Sequence, residues 1–158
     1  MITKRMHLLE CPPLTTNSVA STLENDVTAT IQYWFGLVER DEELTSVYLS
    51  FHDRACHLSQ LFRDVIDRLR APAGTRDPFS IAAREHGAMR RRQGYNAAMV
   101  VEESRMLEIS IFTTIHNNLR SLDLGSVLLY VTTIADECDS QLKQAMLSYE
   151  DPGSRWAA

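Results

Sequence analysis

The chain has 158 residues, of which 44% are hydrophobic and 23% charged, with a formal net charge of −5. This length is that of one domain, and the apolar content is enough to form an ordinary core and too high for intrinsic disorder. The acidic balance argues against a general nucleic-acid binder, because phosphate contacts need a cationic surface. No stretch reaches the roughly 18 to 20 apolar residues of a membrane span, so we expect no membrane association.

The cysteine pattern indicates a reducing compartment. There are three cysteines, an odd number without C-x-x-C spacing: Cys11, Cys56 and Cys138. Free thiols are typical of intracellular proteins, so we expect a cytoplasmic protein without a disulfide framework.

Hydrophobic periodicity predicts helices along almost the whole chain. Residues 1–16 lack a period and are expected to form a loose arm. A first helix is predicted from Ser18 to about Arg40, with capping-box spacing between Ser21 and Glu24. A second helical region covers residues 42–70 and carries a clear apolar stripe in its last part.

Turn and capping residues place the next helix. Asp77 is predicted to cap it with Pro78 at the first helical position, where the missing N–H costs nothing. This third helix runs to about Gln93, and Gly94 has the position of a C-terminal glycine.

Two longer helices are predicted in the remaining chain. Asn96 caps a fourth helix that runs to about Leu122 and is apolar on most of its circumference, so we expect it to be central. Asp123 caps a fifth helix to about Tyr149. Its apolar residues follow one another at alternating steps of four and three: Leu124, Leu128, Val131, Ala135, Cys138, Leu142, Ala145 and Tyr149.

Such alternation is a heptad seam, which packs in a dimer, continues into an output helix or packs inside its own bundle. The last residues, 151–158, are expected to form a flexible tail. The sequence therefore predicts a single-domain, all-α bundle of four to five helices over residues 17–150.

No catalytic or metal-binding arrangement is recognisable. The five histidines lack the Glu-x-x-His spacing of carboxylate metal sites, and a soft-metal cluster around Asp53, Cys56 and His57 is less expected than a solvated polar patch. Cys56 and His57 are adjacent and point about 100° apart on a helix, so they form no catalytic dyad. There is no G-x-S-x-G, P-loop or dinucleotide motif. We expect neither an enzyme nor a metal protein.

Three histidines could nevertheless belong to a site of another kind. His57 and His116 are candidate haem ligands, because each borders an apolar helical stripe. His86, with Arg90 one turn further on, is a candidate for histidine phosphotransfer. A lone histidine on such a face is more often a satisfied core residue.

The most informative segment is residues 82–108, which we call the signature segment. Its helix carries His-Gly-x-x-Arg, runs into Gln-Gly-Tyr, and is followed by a glutamate on the next helix. This pattern resembles the N-terminal domain family of the RsbT co-antagonist RsbRD. The matching residues are His86, Gly87, Arg90, Gln93, Gly94, Tyr95, Glu103 and Leu107. Ser104 and Glu108 depart from it, since an aromatic residue and an arginine are expected there.

The same residues have a physical interpretation. His86, Arg90 and Gln93 share one helix face, and Glu103 is within reach of Arg90 if the two helices form a hairpin. They are therefore candidates either for ligand binding or for hydrogen bonds that only hold the hairpin together.

The resemblance implies a bacterial sensory input domain that acts in stress or two-component-type signalling through a protein partner or output domain. We expect a non-enzymatic regulatory module that acts by protein–protein contact, as a homodimer whose seam includes Leu124, Leu128, Val131, Ala135, Leu142 and Ala145. The alternative is a ligand or haem sensor that uses the His/Arg/Tyr cluster. The stimulus is not specified by the sequence.

Overall fold

A computed structural model describes residues 18–72, 75 and 79–151. All regular structure in these ranges is helical and consists of eight α-helices and one 3-10 turn. The helices are α1 (Val19–Asn25), α2 (Val27–Val38), α3 (Glu42–Ser46), α4 (Phe51–Ala55), α5 (Leu58–Arg70), α6 (Ile81–Arg92), α7 (Ala97–Asn117) and α8 (Leu124–Glu150), and the 3-10 turn is Leu119–Ser121. The predicted all-α class is confirmed, and the predicted loose arm and most of the tail lie outside the described residues.

The predicted number of four to five helices is too low because the first predicted helix is broken. Ser18, and not Ser21, is the N-cap of α1, and its hydroxyl accepts from the Ser21 N–H at 3.0 Å. Asp26 interrupts the helix between α1 and α2. Its carboxylate accepts a hydrogen bond of 2.9 Å from the Asn118 side chain at the end of α7, which ties the break to the rest of the bundle.

The second helical region is also divided. Asp41 and Ser50 each cap a short helix, because their side chains accept from the N–H of the third residue onward: Leu44 and Asp53, respectively. The apolar stripe predicted for the last part of this region is α5, whose buried residues run from Leu58 to Leu69.

Three further helix boundaries follow local capping chemistry. α6 begins at Ile81, because the hydroxyl of Ser80 accepts from the Ala83 N–H at 3.1 Å, and the predicted cap at Asp77 lies outside the described residues. Gly94 has a φ of +93°, which confirms its role after the helix end. The predicted caps of α7 and α8, Asn96 and Asp123, are confirmed.

The core lies between α7, α8 and the helices that pack on them. α7 contacts α1, α2, α3 and α8, and α8 contacts α1, α5, α6 and α7. The largest fully buried apolar side chains, among them Trp34, Phe62 and Ile111, fill the space between these helices. The Trp34 indole N–H donates to the Glu103 carbonyl oxygen at 3.2 Å, so α2 is tied to α7 close to the signature segment.

α6 and α8 approach each other at Gly87. A Cβ atom at this position would lie 1.8 Å from the carbonyl oxygen of Ala145. A glycine is therefore required here for the close packing of the two helix backbones.

The heptad seam predicted for α8 divides into two parts. In the second half Cys138 and Ala145 are buried and Leu142 and Tyr149 half-buried, whereas in the first half Leu124 and Leu128 are exposed. α6 can pack along only part of α8, because its 12 residues span about 18 Å against about 40 Å for the 27 residues of α8. Among the helices of the described residues, none has the length and apolar character to cross a membrane.

Candidate functional site

The signature residues converge on the carboxylate of Glu103, which lies on α7. Arg90 on α6 donates to both carboxylate oxygens, at 2.6 Å through Nε and 3.0 Å through Nη2. The His86 Nε2 atom lies 3.1 Å from Oε2, and the Tyr95 hydroxyl donates to Oε1 at 3.2 Å. All four side chains are buried, and Arg90 is 0% exposed. The ion pair between Arg90 and Glu103 that the helical hairpin predicts is present.

A fifth residue, Arg54 on α4, completes the cluster. It was not predicted from the sequence. Its Nη1 donates to the Tyr95 hydroxyl, and its Nη2 donates to the carbonyl oxygens of Leu44 and Val47 at 3.3 and 2.9 Å. We call His86, Arg90, Tyr95, Glu103 and Arg54 the buried polar cluster.

The short helices α3 and α4 explain how the cluster holds two guanidinium groups and one carboxylate. The last carbonyl groups of a helix lack intrahelical partners and carry partial negative charge. Arg90 donates to the carbonyl oxygens of Asp53, at 3.4 Å, and of Arg54 in α4. Arg54 likewise donates to carbonyl oxygens at the end of α3. The backbone dipoles of these two helix ends therefore offset the second buried positive charge.

The pKa values of the acidic groups in the cluster follow from their burial and from these hydrogen-bond donors. Burial alone would raise the pKa of Glu103, but the hydrogen bonds and positive potential from His86 and Arg90 outweigh it and hold that pKa below its ordinary value. Burial and the neighbouring carboxylate of Glu103 raise the pKa of Tyr95. The cluster therefore holds an ionised carboxylate and a neutral phenol.

The remaining signature residues support the cluster. Gln93 accepts from Arg90 Nη1 at 2.7 Å, and the Tyr149 hydroxyl on α8 donates to the Tyr95 carbonyl oxygen at 2.9 Å. Gly94 permits the turn and Gly87 the close contact with α8. These contacts connect α4, α6, α7 and α8 through one set of hydrogen bonds.

The two departures from the family pattern lie near the cluster and not in it. Glu108 is partly buried on α7, and burial together with Asp139 raises its pKa. Ser104 lines a small cavity of about 20 Å³ beside His86. Leu107 is buried in the core.

One polar atom of the buried polar cluster, His86 Nδ1, has no hydrogen-bond partner, and His86 lines this cavity. His86 Nε2 faces a carboxylate, which only accepts, so this nitrogen carries a proton. Nδ1 is buried and has no hydrogen-bond partner. The cavity has room for about one water-sized molecule. Two larger spaces, of about 620 and 440 Å³, are open grooves that His86 does not line.

The other candidate histidines do not assemble a site. His57 packs its ring edge-to-face on His86 with 5.9 Å between centroids, and its Nδ1 lies 3.4 Å from the thiol sulfur of Cys56. Burial and the positive charge of neighbouring side chains lower the pKa of His57 below its ordinary value. The negative charge of Glu85 acts in the opposite direction and raises it. His116 is exposed on α7. Neither His57 nor His116 lines the cavity or the two grooves.

The described ranges contain no group of three or more His, Cys, Asp and Glu side chains placed to hold a metal ion. Cys138 is buried on α8. Burial raises the pKa of its thiol to about 12, so the side chain stays a protonated thiol at neutral pH.

Comparison with protein-family models, with curated proteins and with solved structures finds no match to this chain.

Proposed function

We propose that this chain is a non-enzymatic regulatory module that acts by protein–protein contact and dimerises through the first half of α8. In the setting that the resemblance of the signature segment implies, it is a bacterial sensory input domain in stress or two-component-type signalling. The contacts of the buried polar cluster and the surface of α8 support this proposal in different ways.

The observation that carries the proposal is an apolar surface on α8. Leu124, Leu128 and Leu129 are 62%, 74% and 69% exposed, and we call them the α8 leucine face. Leu124 and Leu128 lie one turn apart on the same side of the helix, and Leu129 points about 100° further round. Scattered exposed leucines are ordinary, but a contiguous apolar patch on a helix is typical of an interaction surface.

The buried polar cluster favours a structural role over a catalytic one. Arg90 and Glu103 use their polar atoms on one another and on neighbouring residues, and the cavity beside them has room for about one water-sized molecule. Such a closed network specifies how α6, α7 and α8 pack. We propose that it holds α8 in a fixed orientation, which presents the leucine face to a partner.

Sedimentation equilibrium over micromolar to millimolar concentration tests the proposal. We expect the wild-type chain to form a dimer and Leu128→Glu to weaken it at least roughly thirtyfold, because a charge at the centre of an apolar contact costs about 2 kcal/mol or more. Leu147→Glu is the matched control, since Leu147 is also exposed on α8 but lies 19 residues, or about 28 Å, beyond Leu128.

A wild-type chain that stays monomeric over this range contradicts dimerisation. An equal effect of Leu128→Glu and Leu147→Glu contradicts the assignment of the contact to the leucine face.

A second candidate function is a ligand sensor, and the unpartnered His86 Nδ1 beside the cavity favours it. The ligand would be about the size of water, which leaves no room for haem at this position. Native mass spectrometry and an absorbance spectrum of purified protein test this candidate. A bound larger molecule or a haem absorbance band would favour a binding site at the histidines over the surface of α8 as the functional site.

A further inference from the structure

A group of metal-ligating side chains lies where α4 meets α5, outside the buried polar cluster. Cys56 follows the last residue of α4, and His57 precedes the first residue of α5. On a continuous helix such neighbours point about 100° apart. Here they form the turn between two helices, and the Cys56 Sγ atom lies 3.4 Å from His57 Nδ1. His57 and His116 form no site with one another, but His57 and Cys56 lie side by side.

Met89 on α6 brings a third ligand atom to the same place. Its Sδ atom lies 3.5 Å from Cys56 Sγ, although the two residues are 33 positions apart in the chain. Cys56 is exposed, and His57 and Met89 are half-buried. One thiol, one imidazole and one thioether therefore meet at a place that solvent reaches. We call Cys56, His57 and Met89 the soft-ligand group.

The thiol of Cys56 has more acceptors around it than it can satisfy. Its single S–H can point to the Asp53 carbonyl oxygen at 3.3 Å, to His57 Nδ1 or to the Met89 sulfur, but to only one of them at a time. The lone pairs of two sulfur atoms and one nitrogen thus converge, and one cation in place of the proton would use all three.

The surroundings of His57 favour a lone pair on the nitrogen that faces Cys56. Its other nitrogen, Nε2, lies 3.7 Å from a carboxylate oxygen of Glu85, which favours a proton on Nε2 and leaves Nδ1 free to bind. A carboxylate on the far side of the ring is the usual arrangement of metal-binding histidines. Edge-to-face packing on buried His86, with 5.9 Å between ring centroids, holds the ring in place. The lowered pKa of His57 also favours the neutral ring.

The ligand types select a soft monovalent ion. Thiolate and thioether sulfur favour Cu(I), and imidazole also binds copper, whereas Mg²⁺ and Ca²⁺ prefer oxygen. Zinc sites take their ligands from cysteine, histidine and carboxylates, and a thioether is not among them. With one thiolate, a single Cu(I) makes the group electrically neutral, which suits its half-buried position.

The distances are close to those of a three-coordinate site. Ligand atoms that lie about 2.0 to 2.3 Å from one ion, at about 120° to each other in a plane, are separated by about 3.7 to 4.0 Å. The observed separations from Cys56 Sγ are 3.4 and 3.5 Å, so each has to widen by about half an ångström or less. The unbranched side chain of Met89 has three rotatable bonds and can make this adjustment.

We propose that the soft-ligand group binds one Cu(I) ion, with Cys56 Sγ, His57 Nδ1 and Met89 Sδ as its three ligands. On binding, the S–H bond of Cys56 breaks, its proton goes to solvent and a copper–sulfur bond forms, while the copper stays Cu(I). The exposed thiol leaves a path by which the ion enters. The site differs from the sequence-based expectation of no metal. It goes beyond the proposed function and does not depend on the α8 leucine face.

Titration of the reduced full chain with Cu(I), without oxygen and in competition with the chromophoric chelator bicinchoninate, tests the proposal. We expect Cys56→Ser to raise the Kd for Cu(I) about 100-fold or more and Met89→Leu to raise it about tenfold, because each removes a soft ligand. Leucine has nearly the shape of methionine, so Met89→Leu keeps the packing. Cys11→Ser and Met146→Leu are the matched controls and are expected to leave the Kd within about twofold of the wild type.

X-ray absorption spectroscopy of the copper-loaded wild-type chain gives a second readout that needs no variant. We expect two sulfur atoms and one nitrogen around the copper, and a shell of nitrogen and oxygen alone overturns the proposal. A wild-type chain that loses all its copper to the chelator also overturns it. Equal effects of Met89→Leu and Met146→Leu, or an unchanged Kd in Cys56→Ser, show that these residues are not the ligands. Displacement of the copper by equimolar Zn²⁺ contradicts a site for a soft monovalent ion.

Discussion

Replacing Gly87 by alanine tests the packing of α6 on α8 most severely. The added Cβ would lie 1.8 Å from the Ala145 carbonyl oxygen, whereas ordinary contact begins at 3.4 Å, so α6 would have to move by about 1.6 Å. The Cβ position is fixed by the α6 backbone and the oxygen by the α8 backbone, so no side-chain rotation relieves the contact. We estimate the cost of overpacking at about 3 kcal/mol, against a gain of about 1 kcal/mol in helix propensity. The expected net loss is about 2 kcal/mol.

Urea denaturation followed by circular dichroism measures this loss, and Gly36→Ala is the matched control. Gly36 lies inside α2, and a Cβ added there would meet nothing within 4 Å, so only the gain in helix propensity applies. We expect this variant to be more stable than the wild type by roughly 0.5 to 1 kcal/mol. If Gly87→Ala is as stable as Gly36→Ala, the close contact between α6 and α8 is refuted.

Two further predictions concern the buried charges. Glu103→Gln is expected to reduce the free energy of unfolding by about 3 to 5 kcal/mol, because Arg90 stays buried without its carboxylate. Glu102→Gln removes a carboxylate from an exposed pair and is expected to cost less than about 1 kcal/mol. Urea denaturation of both variants measures the two losses. The free energy of unfolding is also expected to decrease as the pH is lowered, in two separate pH ranges. The reason is that the folded pKa values of His57 and Glu103 are both below their ordinary values. Each group contributes fully above its unfolded pKa, about 6.5 and 4.3, and its contribution is lost as pH falls through the folded pKa. His57→Gln should remove the loss that begins near pH 6.5 in urea midpoints measured from pH 8 to pH 4, and an unchanged pH profile would contradict the burial of this histidine.

The parts of the fold that local chemistry dictates were predictable. Asn96 and Asp123 cap the helices predicted for them, and Gly94 adopts the positive φ that its position requires. The contact between Arg90 and Glu103 was also predictable, because both lie on consecutive helices joined by a short turn. In each of these cases the residues that decide the structure are close in sequence.

The parts that depend on distant residues were not predictable. Arg54 joins the buried polar cluster across 41 residues, through the Tyr95 hydroxyl, and nothing near it in sequence marks it as buried. At the break, the Asp26 carboxylate accepts a hydrogen bond from Asn118, which is 92 residues away. The seam of α8 is periodic throughout, but Leu124 and Leu128 are exposed because of where distant helices pack along α8.

Hydrogen exchange followed by mass spectrometry, at protein concentrations below and above the dimer Kd, tests the central proposal most directly. The amides of residues 124–136 are expected to exchange more slowly at the higher concentration, while those around Arg90 and Glu103 stay equally protected at both. This result would place self-association on the first half of α8, as proposed. Protection that does not change with concentration, or that changes elsewhere in the chain, would contradict it.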